Sequence, residues 1–154
     1  QSDNSIEIYS KINSIIKFLN IENFEINEES KSVLLTSNGM EVVEKLLLDN
    51  RLIEGGTLQD IDNMGLNHNI IQALRAHHLF NKDKEYIIQS KSVIIIDELS
   101  GRPMEGRRYG DGLHQAIEAK EGLVVQKENQ TIASITYQNF FRTYNIYFLK
   151  QYFS

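Results

Sequence analysis

The run Val93-Ile94-Ile95-Ile96 constrains this chain more than any other feature. Four β-branched residues in succession lose side-chain freedom in a helix and pack well on a pleated surface. They follow Tyr86-Ile87-Ile88 across Ser90-Lys91-Ser92, so the two runs predict an antiparallel hairpin with a buried return strand. A shorter hairpin is expected where Phe24 and Ile26, then Val33 and Leu35, alternate with polar neighbours around the turn-prone Asn27-Glu28-Glu29-Ser30.

Helical periodicity fills much of the remainder. Tyr9, Ile12, Ile16 and Leu19 recur every three or four positions behind a capping candidate at Asp3 or Ser5, which predicts a helix from about Ser5 to Leu19. Met40, Val43 and Leu47 mark a second helix ending near Asp49-Asn50, with Asn38 three residues before Glu41 in capping-box spacing. Arg51 to Gly65 has no sustained period and reads as a long surface loop. A third helix, with Asn67 as its cap, carries Ile70, Ala73, Leu74, His77 and Phe80 on one face. Gly101, Pro103, Gly106, Gly110 and Gly112 then interrupt regular structure. Asp111 is expected to cap a helix in which Leu113, Ala116, Ile117 and Lys120 share a face, and Gly122 suits the left-handed position after it. Leu123-Val124-Val125-Gln126 reads as extended, and Thr131 opens a last helix with an apolar stripe through Ile132, Ile135, Phe140, Phe141, Tyr144 and Phe148. Antiparallel hairpins packed with several amphipathic helices make an α+β fold.

Composition removes whole classes of function. A chain of 154 residues, 41% hydrophobic, buries one core and is not disordered. Sixteen Lys and Arg against 21 Asp and Glu leave a net charge of −5, so no nucleic acid is expected as a partner. The absence of cysteine excludes disulfides, thiolate zinc sites and a thiol nucleophile together, and a cytoplasmic setting fits. No apolar run approaches the ~18 residues of a bilayer span, and the polar start Gln1-Ser2-Asp3-Asn4 is no signal peptide, so any membrane contact is expected to be peripheral.

Four groupings invite a chemical reading. An apolar strand ending in Asp97-Glu98 is how many nucleotide hydrolases hold magnesium, which would make the chain a small magnesium-dependent hydrolase. No glycine-rich loop closing on Lys-Ser or Lys-Thr accompanies it, and the other reading is a buried strand whose polar end enters solvent. His68, His77, His78 and His114 stand between a metal site and ordinary helix positions; side chains of helix neighbours point about 100° apart, so His77 and His78 do not converge on one ion easily. Arg102, Arg107 and Arg108 either grip a partner's carboxylates or phosphates through bidentate forks or are satisfied internally by Glu98, Glu105 and Asp111. The aromatic stripe of the last helix is either core or ligand box.

In order along the chain, Ala73-Leu74-Arg75-Ala76-His77, Val93-Ile94-Ile95-Ile96-Asp97-Glu98 with Gly101-Arg102, Gly106-Arg107-Arg108, and Asp111-Gly112-Leu113-His114-Gln115-Ala116-Ile117-Glu118-Ala119-Lys120-Glu121-Gly122 closely resemble the SecA family of bacterial preprotein translocase motors. Glu128-Asn129-Gln130-Thr131, Ala133-Ser134-Ile135-Thr136 and Gln138-Asn139 extend the resemblance, and the first 65 residues match it in pattern, through a helix, a hairpin and a Thr36-led second helix. The resemblance implies a fragment of a much larger protein: the preprotein cross-linking domain over 1–122, and over 123–154 the return into the first nucleotide-binding domain. From Thr143 to Ser154 the chain departs from the family, as a frameshift or truncated reading frame would make it.

What the family does sets the remaining expectations. The resemblance implies binding of unfolded preproteins and signal peptides inside a clamp, beside the SecY channel complex, on the cytoplasmic face of the inner membrane. ATP and magnesium would serve the parent protein, whose phosphate-binding loop and acidic motif lie outside this chain. Asp97-Glu98 would then not be the magnesium site, and the chain alone should need no cofactor and hydrolyse no ATP. Met64 and Leu66 match the apolar lining of the signal-peptide groove and, with Tyr86 and Ile88, are the expected peptide contacts; the competing reading makes them core residues under a loop. Arg102 is expected to be exposed, meeting the channel or the opposite clamp wall. A degenerate fragment without a partner is the third class. Finally, the strand edge at Leu123 to Gln126 and the stripe of the last helix would need cover, either by folding back or by a second copy paired through 123–149.

Overall fold

The computed structural model describes residues 2–58, 60 and 63–127. In chain order these form α1 (Ser2–Ile16), β1 (Phe24–Asn27), β2 (Ser32–Leu35), α2 (Ser37–Asp49), α3 (Met64–His78), β3 (Tyr86–Gln89), β4 (Ser92–Ile96), β5 (Pro103–Met104) and α4 (Leu113–Lys120). The helix expected from Thr131, with its stripe, and the tail from Thr143 lie outside the described residues.

α3 is the hub. It packs against α1 and α4, while β2 rests on α3 and β4 rests on α4. Two small antiparallel sheets result, β1-β2 and β3-β4-β5, as the α+β reading requires. Ile12, Leu47, Leu58, Ile70, Leu74, Tyr86 and Ile117 are fully buried where these elements meet. At roughly 1.5–3 kcal/mol for each large apolar side chain removed from water, this shared core is what holds helices and sheets in one unit.

Both expected hairpins form. In the first, Phe24 faces Leu35 and Asn27 faces Ser32, and the Asn27 side chain accepts a hydrogen bond from the Ser30 N–H at 2.9 Å to shape the turn. In the second, Tyr86 faces Ile95 and Gln89 faces Ser92. Its two-residue turn holds Ser90 and Lys91 at φ of 53° and 62°, positive at both central positions as a type I′ turn demands. A third strand was not expected: Pro103 and Met104 pair with Ile96 and Ile95 after a tight reversal over 97–102. Asp97 builds that reversal, its backbone N–H donating to Arg102 O and its carbonyl accepting from the Gly101 N–H.

Several boundaries move. α1 stops at Ile16 rather than Leu19, because the chain tightens into i→i−3 bonds from Phe18 to Ile15 and from Leu19 to Ile16. α2 is capped by Thr36, not Asn38: the Gly39 N–H donates to Thr36 Oγ1 at 3.0 Å, and the Thr36 hydroxyl donates to Glu22 O at 2.8 Å. Asn38 instead accepts from Asn23 Nδ2 at 3.1 Å. The strand-to-helix junction is so tight that a Cβ on Gly39 would lie 1.8 Å from Asn23 O. α3 begins at Met64 rather than after Asn67, and Asn63 ahead of it ties the preceding loop by donating to Gly55 O and Thr57 O. That loop is less superficial than its composition suggests, since Ile53 and Leu58 are buried.

At α4 the first residue of the Asp111-Gly112 pair does not cap. Asp111 and Gly112 both take positive φ, 58° and 84°, and Gly112 occupies the N-cap. The other end follows expectation: Gly122, at φ 73°, sits past the helix, its N–H donating to Ala119 O while the Leu123 N–H donates to Glu118 O at 2.9 Å. That pair of bonds is a Schellman ending. Leu123 to Gln126 joins no sheet among the described residues; Val125 tucks inward while Val124 stays 81% exposed.

Candidate functional site

Between the turn of the first hairpin and the second sheet lies a recess of about 390 Å³. Phe80 and Tyr109 meet edge to face at 5.1 Å on one wall, and Ile95 and Met104 supply the sheet side. Leu99, at the tip of the 97–102 reversal, stands on the rim with 98% of its surface exposed. Lys31, Glu85, Asp97 and Glu98 also line the space, three carboxylates against one ammonium.

Most of these charges are already occupied. Glu85 binds Lys31 Nζ at 3.2 Å and accepts from the Asn81 N–H at 2.7 Å. Burial pushes the Glu85 carboxyl upward, but the Asn81 and Lys31 bonds outweigh it and hold the group below its ordinary range. Lys31 also lies 5.3 Å over the Phe80 ring. Tyr109 donates from its hydroxyl to Glu85 O at 3.1 Å, and burial, reinforced by the charges of Glu85 and Glu98, pushes its phenol up to about 12. Asp97 accepts from the Ser100 hydroxyl at 2.7 Å and from its N–H at 3.3 Å, which keeps its carboxyl ionised below the usual range. Both Ser100 bonds go to Asp97 Oδ2, so that oxygen shapes the turn. No group of three or more His, Cys, Asp or Glu stands at metal-ligand spacing among the described residues.

The expected peptide contacts separate into two places. Met64, 56% exposed, and Leu66, partly buried, open α3 on either side of Gly65. Tyr86 lies at the opposite end of that helix, where Lys120 donates to Ala76 O and Phe80 O while spanning the Tyr86 ring at 5.3 Å. Twelve residues of helical rise put Met64 about 18 Å from Ala76. Tyr86 is also fully buried, its hydroxyl donating to Glu121, so its expected exposure to a peptide is corrected: the ring is core and the hydroxyl is already bonded. Burial and that carboxylate raise its phenol strongly. Ile88, two residues on, packs partly against the core.

The three arginines divide as well. Arg102 is exposed, and its guanidinium has no ion pair among the described residues. Arg107 is likewise exposed. Arg108 is paired internally, though not by Glu98, Glu105 or Asp111: its two terminal nitrogens form a two-pronged bond to the buried Glu118, at 3.2 Å on each side, while its buried Nε has no hydrogen-bond partner among the described residues. The same pair holds Gln126, whose O accepts from Arg108 and whose N–H donates to Glu118 Oε1. Sequence spacing carried no signal for Glu118, which lies on a helix buried almost all round.

The histidines go to separate duties. His77 Nε2 lies 2.6 Å from Asn13 Oδ1, and burial, aided by the Lys120 charge, lowers it to about 4. The His78 ring lies against Phe24, centroids 4.7 Å apart and planes inclined at 38°, and its imidazole is also lowered by burial. His68 Nε2 lies 2.7 Å from Asp111 O. His114, 1% exposed, accepts from the Tyr109 N–H at Nδ1 and bonds the Val93 backbone, joining α4, β4 and the glycine-rich loop. Burial first, then the Arg108 charge, lowers it to about 4.

The sequence profile of the SecA preprotein cross-linking domain matches residues 4–118. The chain is 54% identical to the protein translocase subunit SecA of Ehrlichia ruminantium (strain Welgevonden) over 145 residues, 94% of this chain and 17% of that protein. Its identity to the SecA subunit of Pelagibacter ubique (strain HTCC1062) is 50% over 94% of the chain, again 17% of the relative. The SecA subunit of Afipia carboxidovorans shares 51% over 92% of the chain and 15% of its own length. The chain thus spans about a sixth of the curated relatives it matches. It belongs to the SecA family, and residues 4–118 are its preprotein cross-linking domain.

Proposed function

We propose that this domain holds segments of unfolded preproteins and signal peptides for a protein-translocating motor. The match across 4–118 to a domain described by its cross-linking to preproteins is the observation that carries the reading. The surface agrees with it at the start of α3, where Met64 and Leu66 present apolar side chains on either side of a glycine with open space around it. Ile88 contributes from β3 only as far as its partial burial allows. ATP, magnesium and contact with the SecY channel on the cytoplasmic face of the inner membrane belong to the whole protein in this proposal, with the exposed Arg102 meeting the channel or the other clamp wall.

Titration of the isotope-labelled chain with a synthetic signal peptide tests this. Shifts should gather at Met64 and Leu66, and the pair Met64→Ala and Leu66→Ala should weaken binding about tenfold, the scale of two partly buried apolar contacts. Unchanged affinity in a folded double variant refutes the assignment of those residues.

A further inference from the structure

Resting on the peptide-binding reading above, we infer that the recess between Phe80, Tyr109 and Met104 is a second subsite, which takes one apolar side chain of an extended polypeptide carrying Lys or Arg a few residues away. Three observations lead there. At about 390 Å³ the space sits near the lower end for ligand pockets, room for a side chain or two rather than a cofactor. Its walls are apolar and aromatic, and a leucine left 98% exposed at the rim is positioned to close over a guest. Around it the charge is uneven: Lys31 is neutralised by Glu85 and Asp97 is held by Ser100, while the exposed Glu98 at the mouth has no ion pair among the described residues.

The mode of recognition also follows. β5 is the sheet edge beside the recess, but it is two residues long and begins with Pro103, which has no N–H to donate. Strand addition would gain little there. Selectivity instead comes from side chains, an apolar anchor in the recess and a cation at Glu98. This position is distinct from Met64 and Leu66, since Phe80 follows the far end of α3.

Three labelled nonapeptides titrated into the 154-residue chain provide the test: one with Leu-Leu beside Lys, one with that Lys replaced by Glu, and one with Leu-Leu replaced by Ser-Ser. The first should bind most tightly, shifting the methyl signals of Ile95, Leu99 and Met104. Glu98→Lys and Leu99→Ser change exposed side chains and leave the fold intact. Glu98→Lys should weaken the Lys peptide about fivefold and bring the Glu peptide level with it, whereas Leu99→Ser should weaken both apolar peptides similarly. If the peptides bind but neither variant alters affinity and the shifts stay at Met64 and Leu66, this subsite is overturned while the peptide-binding reading stands. If no peptide binds, both fail.

Discussion

Acid should loosen this domain through His114 well before its carboxylates titrate. Its ring is 1% exposed, takes the Tyr109 N–H at Nδ1, bonds the Val93 backbone and lies near the Arg108 charge, an environment that lowers it from 6.5 to about 4. Because the folded state resists protonation and the unfolded chain does not, the unfolded state binds more protons between pH 6.5 and 4, and stability falls as pH drops through that window. From pH 7 to 5, linkage over a shift of that size removes roughly 2 kcal/mol, a large share of the 5–15 kcal/mol typical of a domain. His77, lowered to about 4 yet only partly buried, adds a smaller loss of the same sign. Glu85, held below its ordinary range in the folded state, adds a loss of the same sign only toward the acid end of the window, where its unfolded carboxyl begins to protonate. Urea unfolding at pH 7 and pH 5, for the parent and for His114→Asn, measures the effect. The variant should be weaker at pH 7, having lost packing and two hydrogen bonds, but its drop between the two pH values should be smaller by roughly 2 kcal/mol. An imidazole titration placing His114 near 6.5, or an identical drop in the variant, would refute the reasoning.

Other substitutions separate contacts that resemble one another in sequence. Thr36→Ala should cost about 1 kcal/mol in thermal or urea unfolding and Thr36→Ser little, since only a hydroxyl is needed to cap α2; a larger loss from Asn38→Ala would return the cap to Asn38. Gly39→Ala should cost about 3 kcal/mol, because the added carbon meets backbone at Asn23 rather than a yielding side chain. Arg108→Met leaves Glu118 buried without its cation and should cost about 3 kcal/mol, while adding Glu118→Leu should recover most of that; a double-variant loss equal to the sum of the two single losses would show that the pair is not coupled.

What the sequence made legible was decided locally. The second hairpin announced itself because two β-branched runs flank a two-residue turn, and Gly122 because a Schellman ending needs a left-handed residue there. Non-local choices stayed hidden. Thr36, Ser37 and Asn38 are all good caps, and the decision rests on Glu22 and Asn23, which hold Thr36 and Asn38 from the neighbouring turn. β5 sits in a glycine-rich stretch with no period to read and exists because Asp97 reverses the chain onto β4. Tyr86 was misplaced for a related reason: its amphipathic chemistry suits a surface, but its hydroxyl finds Glu121, 35 residues away. The family resemblance could identify the domain without saying which of its aromatics face outward.

The arrangement at Gln126 bears on how the domain would take mechanical load. Tension on the chain beyond Lys127 reaches its first firm anchor at Gln126, whose peptide groups are gripped on one side by Arg108 and on the other by Glu118. Force there passes into α4 through Glu118 and into the glycine-rich loop through Arg108 before it reaches β4, against which α4 packs. The anchor is thus two charge-assisted hydrogen bonds on one residue, tied to each other by the Arg108–Glu118 pair, rather than a ladder of strand bonds. The sheet that walls the recess can keep its shape while the chain leaving the domain is pulled.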